Sequence, residues 1–405
     1  MPRVLVTDAG RGSAIAIIRS LGRRGWHVTA ADSDRHSPGF VSRHVERRVV
    51  YPEPAASPTA AVEVLLDVAR DQAVDLVMPV TDDIILPLNH ARRRFDGIAK
   101  LALPEAAALD VATNKDATLE LARGLDIPVP RTGVAATAND ADREATCIGW
   151  PVVLKPQASR TYRPEQGTTA LEVAYATGSD TLARGMAELG THGPVLVQEY
   201  CAGEGHGVEL ALHQGRVLGA FQHRRVREVP FSGGPSSLRE SVPLDPVLFD
   251  YSARLMSALE WTGLAMVEFK LTPAGPRLME INGRVWGSLP LAVKSGMDFP
   301  AMAAELHLDG PPDPSRAPAT NYTIGVRSRN VELELRWIAS VLLRRYRPSP
   351  VTPPHRRDAV FAALRLLYPR DGYDILSRDD PRPGGRDLIR IVAKARRKRR
   401  HGSAH

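Results

Sequence analysis

Glu268, Glu280, Asn282 and Arg284 are the residues of this 405-residue chain whose types and spacing best suit chemistry. Residues 265–287 read AMVEFKLTPAGPRLMEINGRVWG: two apolar runs, each closing on a carboxylate, joined by a Pro/Gly-rich turn. If both runs are strands, the period of two puts Glu280, Asn282 and Arg284 on one face. A hairpin through Thr272–Pro276 then brings Glu268 opposite them. Two carboxylates and an amide oxygen are hard ligands that suit Mg2+ carrying a nucleotide's phosphates, or Mn2+ with the same oxygen set. Arg284 supplies a planar cationic fork for a phosphoryl group. The competing reading is a surface hairpin with a polar outer face, so the rest of the chain must decide.

Other candidates lie upstream. Lys155 sits inside the apolar run PVVLKP, where its charge must meet an anion or leave the core. Lys115 opens a helix in ATNKDATLELARGLDIPVP. Gln198, Glu199, Tyr200 and Cys201 leave the strand-like VLVQE for a loop that could offer backbone groups to an adenine edge. Glu204, His206 and Glu209 follow in and after the Gly-rich AGEGHG; His206 has no partner at metal-ligand spacing, which argues against zinc. Arg224 and Arg225, with Arg227, precede PFSGGPSSLRES, a guanidinium cluster beside a Gly/Ser loop suited to a carboxylate and its acyl-phosphate.

The elements that must position these residues follow from periodicity. Short apolar runs at Arg3–Thr7, His27–Ala31 and Asp75–Val80 alternate with helices at Ser13–Arg24 and Ala60–Asp71, the pattern of a parallel, doubly wound α/β sheet. The loop DAGRGSAI carries Gly10 and Gly12, with Asp32 about 20 residues on, where a ribose-binding acid would sit. Ile15 occupies the third glycine position, so a Rossmann-like support or substrate-binding domain is expected rather than an NAD site. The middle part is α+β. It has helices at Thr113–Leu125, Ser179–Leu189 and Asp245–Leu259, and strands at Pro151–Pro156, Val195–Glu199, Val208–His213 and Val217–Gln222. Beyond the Pro-rich Asp309–Ala319 come a strand-like NYTIGV, helices at Val331–Tyr346 and Arg357–Leu367, and a basic amphipathic tail.

Composition excludes some classes. Hydrophobic residues make up 43% and charged residues 24%, enough for proper cores in a soluble protein. The +7 net charge equals the excess of eight Lys/Arg over one acid in residues 386–401, so the body is neutral on balance. RWIASVLLRRYR and the tail have the composition of a membrane-surface or RNA-binding segment. Without interleaved aromatics the tail reads as a solvated end, and no nucleic acid is expected. Cys147 and Cys201 form no disulfide framework, no run is long enough to span a bilayer, and no leader is evident, so cytoplasmic residence is expected.

The order Lys115, Lys155, QEY at 198–200, Glu268 and EIN-x-R at 280–284 resembles the ATP-grasp superfamily, closest to its carboxylate–amine ligases and carbamoyl-phosphate-synthase-like members. The resemblance runs from about Val4 to Leu308. It implies a Rossmann-like preATP-grasp domain (1–110), a two-subdomain ATP-grasp fold (111–310) and a small C-terminal extension (311–405). It also implies ATP and Mg2+ as cofactors and small-molecule carboxylate and amine substrates, and related enzymes are often homodimers. Carried over, Lys115 and Lys155 contact ATP phosphates; Gln198, Glu199 and the Tyr200 backbone hold adenine; Glu204 or His206 lies near the ribose. Glu268, Glu280 and Asn282 hold the metal, Arg284 steadies the acyl-phosphate, and Arg224 and Arg225 act on the substrate. Two departures stand out. The lid loop QASRTYRPEQGTTA has Gly167 alone where the family is glycine-rich, and Gly283 replaces the usual proline after the metal-binding Asn. A catalytically silent ATP-binding sensor is the alternative reading.

Overall fold

The computed structural model describes the chain except residues 164–166, 345, 347–349, 369–370 and 403–405 and the side chains of 397–402. Strands β1 (Arg3–Val6), β2 (His27–Asp32), β3 (Arg47–Val50), β4 (Leu76–Met78) and β5 (Lys100–Leu101) form a parallel sheet in the order β3-β2-β1-β4-β5. Val4, Leu5 and Val6 are buried on both faces, as a central parallel strand covered by helices requires. Asp32 does not face an open ribose site. It accepts from the Gly10 amide at 2.6 Å and from the Ser37 hydroxyl at 3.0 Å, tying down its own loop, while Ile15 is fully buried in the helix Gly12–Arg23.

The second sheet joins β6 (Thr132–Ala135), β7 (Val152–Pro156), β10 (Ala174–Ala176) and β11 (Val195–Glu199) in the order β10-β7-β11-β6. Between β7 and β10 lies a separate hairpin, β8 (Arg160–Arg163) and β9 (Gly167–Ala170), where the lid loop was expected. Residues 164–166 of that loop lie outside the described residues. Val152, Leu154, Val195 and Val197 form one face, packed under helices Ala138–Ile148 and Ser179–Leu189. Lys155, Val153, Leu196 and Gln198 alternate onto the opposite face.

The third sheet holds the acidic hairpin. It is seven-stranded, ordered β16-β15-β12-β13-β14-β17-β18. Its members are β12 (Glu204–His213), β13 (Arg216–Glu228), β14 (Ser236–Ser241), β15 (Gly263–Thr272), β16 (Gly275–Asn282), β17 (Arg327–Arg329) and β18 (Gly372–Tyr373). Strands β12 and β13 are much longer than the apolar runs foretell. AGEGHG enters β12 from Glu204 on, and Arg224, Arg225 and Arg227 lie within β13 rather than beside a loop. The backbone ladder to both neighbours satisfies these polar residues' amides, so the pairing extends past the hydrophobic stretch.

The C-terminal stretch is woven into this sheet: β17 pairs with β14, and β18 with β17. The NYTIGV segment is not a strand. Tyr322 packs on Phe221 with ring centroids 4.6 Å apart and donates to Val242 O at 2.7 Å, and the segment's last residues, Gly325 and Val326, exchange backbone bonds with Ser241 of β14, both at 2.9 Å. The tail helix, Arg382–Gly402, is anchored by Arg390 and Lys394 on Glu332, whereas Leu388, Ile389 and Val392 of its expected apolar side are exposed.

Candidate active site

The hairpin β15–β16 sets Glu268 directly opposite Glu280 and Met266 opposite Asn282. A bulge between Glu268 and Phe269 leaves Met279 unpaired, and this resets the alternation. Leu278 therefore packs into the core, fully buried, while Glu280, two residues on, faces the cleft with Glu268. Without the bulge the period of two would send both to one side. Asn282 donates its amide to Glu268 Oε1 at 2.9 Å, leaving its carbonyl oxygen as the available ligand atom. Gly283 has a packing reason: a Cβ there would lie 2.6 Å from the Trp261 ring.

Cations surround the two carboxylates from three elements. Lys115 opens the helix Lys115–Gly124, behind Asn114, whose side chain accepts from the amides of Asp116 and Ala117 at 3.0 and 3.2 Å. Such a cap contributes about 1 kcal/mol and aims the lysine. The Lys115 ammonium lies 3.8 Å from Glu280 Oε2 and donates to the Ser159 hydroxyl. Lys155 faces the same carboxylate from β7, and its ammonium makes no hydrogen bond or ion pair among the described residues; burial pushes its pKa down, and Glu280 acts in the opposite sense. Arg284 donates to Asp82 Oδ2 at 2.8 Å.

Arg225 reaches Glu268 across an intervening strand. Its guanidinium pairs with Glu268 and lies 3.3 Å from Glu228. The path runs over Gly205 of β12, where an added Cβ would stand 3.0 Å from Arg225 Cδ. Burial opposes the Arg225 charge, but Glu268 and Glu228 raise its pKa overall. Burial raises the Glu268 carboxyl, with Arg225 opposing and Glu280 adding to it. Glu280 goes the other way: burial would raise it, but Lys115, Lys155, Arg225 and Arg284 hold it below the ordinary range. Among the described residues no group of three or more His, Cys, Asp or Glu forms a ready-made metal cage. Two opposed carboxylates and an amide oxygen do fit a cation that keeps water or phosphate oxygens as further ligands.

Three of the expected contacts lie elsewhere. Glu204 and His206 alternate with Gly205 and Gly207 along β12, and Arg224 pairs with His206 in the ladder. These three therefore occupy the sheet face opposite Glu268. There His206 bonds Gln222 at 3.0 Å and Glu204 at 3.2 Å, and Arg224 pairs with Glu204 and Glu240, both at 3.1 Å. They fasten the sheet to the helix Pro246–Ala258, whose cap Asp245 donates its amide to Gln222. Gln198 is buried and donates to Thr132 at 3.0 Å. Glu199 accepts from both the amide and the guanidinium of Arg131 at 3.2 Å. The Tyr200 amide donates to Pro151 O at 3.4 Å, so its carbonyl is what remains for a base.

The sequence reading did not single out Asp82, Asp83 or Ser159. A cleft of about 540 Å³ is lined by Asp82, Lys115, Ser159, Arg160, Glu280 and Arg284, among others. Asp83 receives Arg160 Nη1 at 2.8 Å and the Thr168 hydroxyl, pinning the β8–β9 hairpin to the first sheet's domain. The available signal was an acid pair just past a parallel strand's carboxyl end, the edge where such sheets place ligands.

Parallel sheet, clamp sheet and acidic antiparallel sheet together make an ATP-grasp fold. A family model described as "ATP-grasp in the biosynthetic pathway with Ter operon" matches residues 191–331. The chain is 27% identical over 231 residues to the carbamoyl phosphate synthase large chain of Archaeoglobus fulgidus, covering 54% of this chain and 21% of that one. It thus spans about a fifth of that relative's length. The formate-dependent phosphoribosylglycinamide formyltransferase of Synechococcus sp. (strain RCC307) is 28% identical over 292 residues, with 69% and 68% coverage. Among solved structures, the biotin carboxylase domain of Hydrogenobacter thermophilus 2-oxoglutarate carboxylase, in complex with MgADP, ADP and bicarbonate, superposes with a TM-score of 0.62. That match has 17% identity and covers 80% of this chain and 73% of that one. The family-model match, the carbamoyl phosphate synthase relative and the shared fold together support an ATP-grasp superfamily member.

Proposed function

We propose that this chain is an ATP-dependent ligase that activates a carboxylate as an acyl-phosphate and joins it to an amine. The observation that carries the reading is the Glu268–Glu280 pair, in register across one hairpin, with Lys115 3.8 Å from Glu280 and Lys155 facing it from another sheet. That is the charge layout a Mg-nucleotide triphosphate complements: carboxylates for the cation, ammonium groups for the phosphates. The formyltransferase relative is named for formate and a glycinamide acceptor, a carboxylate and an amine.

In this reading Glu268, Glu280 and the Asn282 carbonyl would hold Mg2+, which would neutralise charge on the phosphates. Lys115 and Lys155 bind the phosphate oxygens, and the strand end at Gln198–Tyr200 borders the adenine. Arg284 and Arg225 orient the substrate carboxylate. A carboxylate oxygen attacks the γ-phosphorus and ADP leaves. The amine nitrogen then attacks the acyl carbon, phosphate leaves with the C–O bond's electrons, and the nitrogen gives up a proton. Charge neutralisation and positioning supply most of the acceleration. Glu204, His206 and Arg224, on the far face, act as sheet supports.

A second reading, a silent ATP-binding sensor, draws on the β8–β9 hairpin, which replaces a glycine-rich lid and is pinned by Asp83. ADP release from Mg-ATP, with pooled carboxylates crossed with pooled amines, separates the two. Release that needs one member of each pool supports the ligase. Calorimetric Mg-ATP binding without release under any pair supports the sensor, and no binding at all removes both.

A further inference from the structure

We propose that the outer face of the helix Arg356–Arg365, with Leu343 beside it, docks on an anionic lipid bilayer. The helix is built inside out for a solvated element. Ala359 and Ala362 face Trp337, Ile338 and Val341 of the helix Val331–Leu342, so its inner stripe is small. The large apolar side chains lie outside: Val360 is 51% exposed, Phe361 63%, Leu364 65% and Leu367 87%, with Leu343 at 59%. Positions 360, 361, 364 and 367 share one stripe at helical spacing, so this is a contiguous face rather than scattered exposure.

Charge decides what covers it. Arg344, Arg356, Arg357 and Arg365 are all exposed, and Asp358 is the one acid in residues 343–368. Asp358 is engaged as the helix cap, accepting from the His355 amide at 3.0 Å. Arg344, Arg356 and Arg365 form no ion pair among the described residues, and Arg357 has only Asp358 at 3.9 Å. A twofold contact with a second copy would set this cationic patch against itself, which disfavours self-association. An anionic bilayer surface accepts both parts: apolar side chains enter the headgroup–acyl boundary and guanidinium groups meet lipid phosphates. Tyr346 and Tyr368, partly exposed and close in sequence to Leu343 and Leu367, suit the interfacial zone. With ten residues the helix lies on a membrane and cannot cross it.

The test is co-sedimentation of the full chain with phosphatidylcholine vesicles, with and without about 30 mol% phosphatidylglycerol, a composition giving a strongly negative surface. Binding to anionic vesicles alone is expected, falling about tenfold or more in the Phe361→Ser/Leu364→Ser/Leu367→Ser variant. Arg356→Ala/Arg357→Ala should weaken it about fivefold per arginine. Unchanged circular dichroism melting keeps a misfolded variant from passing as support. Absence of binding to anionic vesicles overturns the proposal. So does undiminished binding of the triple-serine variant, which would assign the effect to the basic tail. A wild-type dimer that the triple-serine change converts to monomer, without vesicle binding, assigns the face to a second copy and equally overturns it. Capture by acidic polypeptide with no vesicle binding does the same in favour of a protein partner.

Discussion

Arg225 of β13 pairs with Glu268 of β15 by crossing β12 over the bare backbone of Gly205. The pair is largely buried, with side-chain exposures of 15% and 11%. Removing one partner leaves an uncompensated charge, and removing both does not. Arg225→Ala is expected to destabilise the fold by about 3 kcal/mol, and Arg225→Ala/Glu268→Ala by clearly less than the sum of the single changes. Chemical denaturation of the four proteins checks this; strict additivity would mean that the two side chains do not support one another.

Glu280→Gln keeps the shape and removes the charge that Lys115, Lys155, Arg225 and Arg284 surround. Turnover should fall by a factor of about 10² to 10³, the cost of losing one charged ligand of the cation that would neutralise the reacting phosphates. A folded variant with wild-type ADP release would end the metal-site assignment.

His206→Ala and Arg224→Ala test the assignment of faces. Both side chains lie on the sheet face away from Glu268, in bonds with Gln222, Glu204 and Glu240. The KM for ATP should stay within about twofold, whereas the melting temperature should drop by a few degrees. A large rise in KM with unchanged melting would return them to the nucleotide site.

Asp83→Asn frees the β8–β9 hairpin from Arg160 and Thr168. The Arg160 side chain is 30% exposed, so the loss in stability should be small, about 1 kcal/mol after solvent screening. The larger effect falls on the hairpin, as faster proteolysis within residues 157–170 and a changed KM for ATP. Unaltered proteolysis would show that the hairpin holds its place without Asp83.

His307 provides a pH dependence. It borders a small apolar pocket with Met78, Leu264 and Ala303, and burial, helped by Lys100, pushes its pKa down to about 4. Between about pH 4 and the ordinary value near 6.5 the unfolded chain binds more protons than the folded one. Stability therefore rises with pH across that window. The contribution is fully present above about 6.5 and lost as pH falls through 4, at most about 3 kcal/mol. Urea midpoints at pH 4.5 and 7 should differ less in His307→Leu than in the parent. Equal pH slopes in the two proteins would refute the assignment.

What the sequence determined by itself was local. The parallel α/β start was legible because alternating apolar runs and amphipathic helices carry their own periods. The Glu268/Glu280/Asn282 hairpin was legible because a short turn sets the register between neighbouring strands. Lys115 was recognisable as a helix opener, whereas the Asn114 cap before it emerged with the structure. Tertiary structure decided which face each residue of β12 and β13 takes. That depends on strands continuing through AGEGHG and HRRVRE, where pairing with distant partners, not hydrophobic pattern, keeps the backbone extended. It therefore separated Arg224 from Arg225, turned Gly205 and Gly207 from loop residues into a passage for side chains, and used the bulge at Met279 to keep Leu278 in the core while Glu280 faces the cleft. Asp82 enters the cleft about 200 positions away from its partner Arg284, and Asp83 pins the hairpin beside it about 77 positions away from Arg160. No local period encodes a contact of that range; only packing of one domain against another brings those charges together.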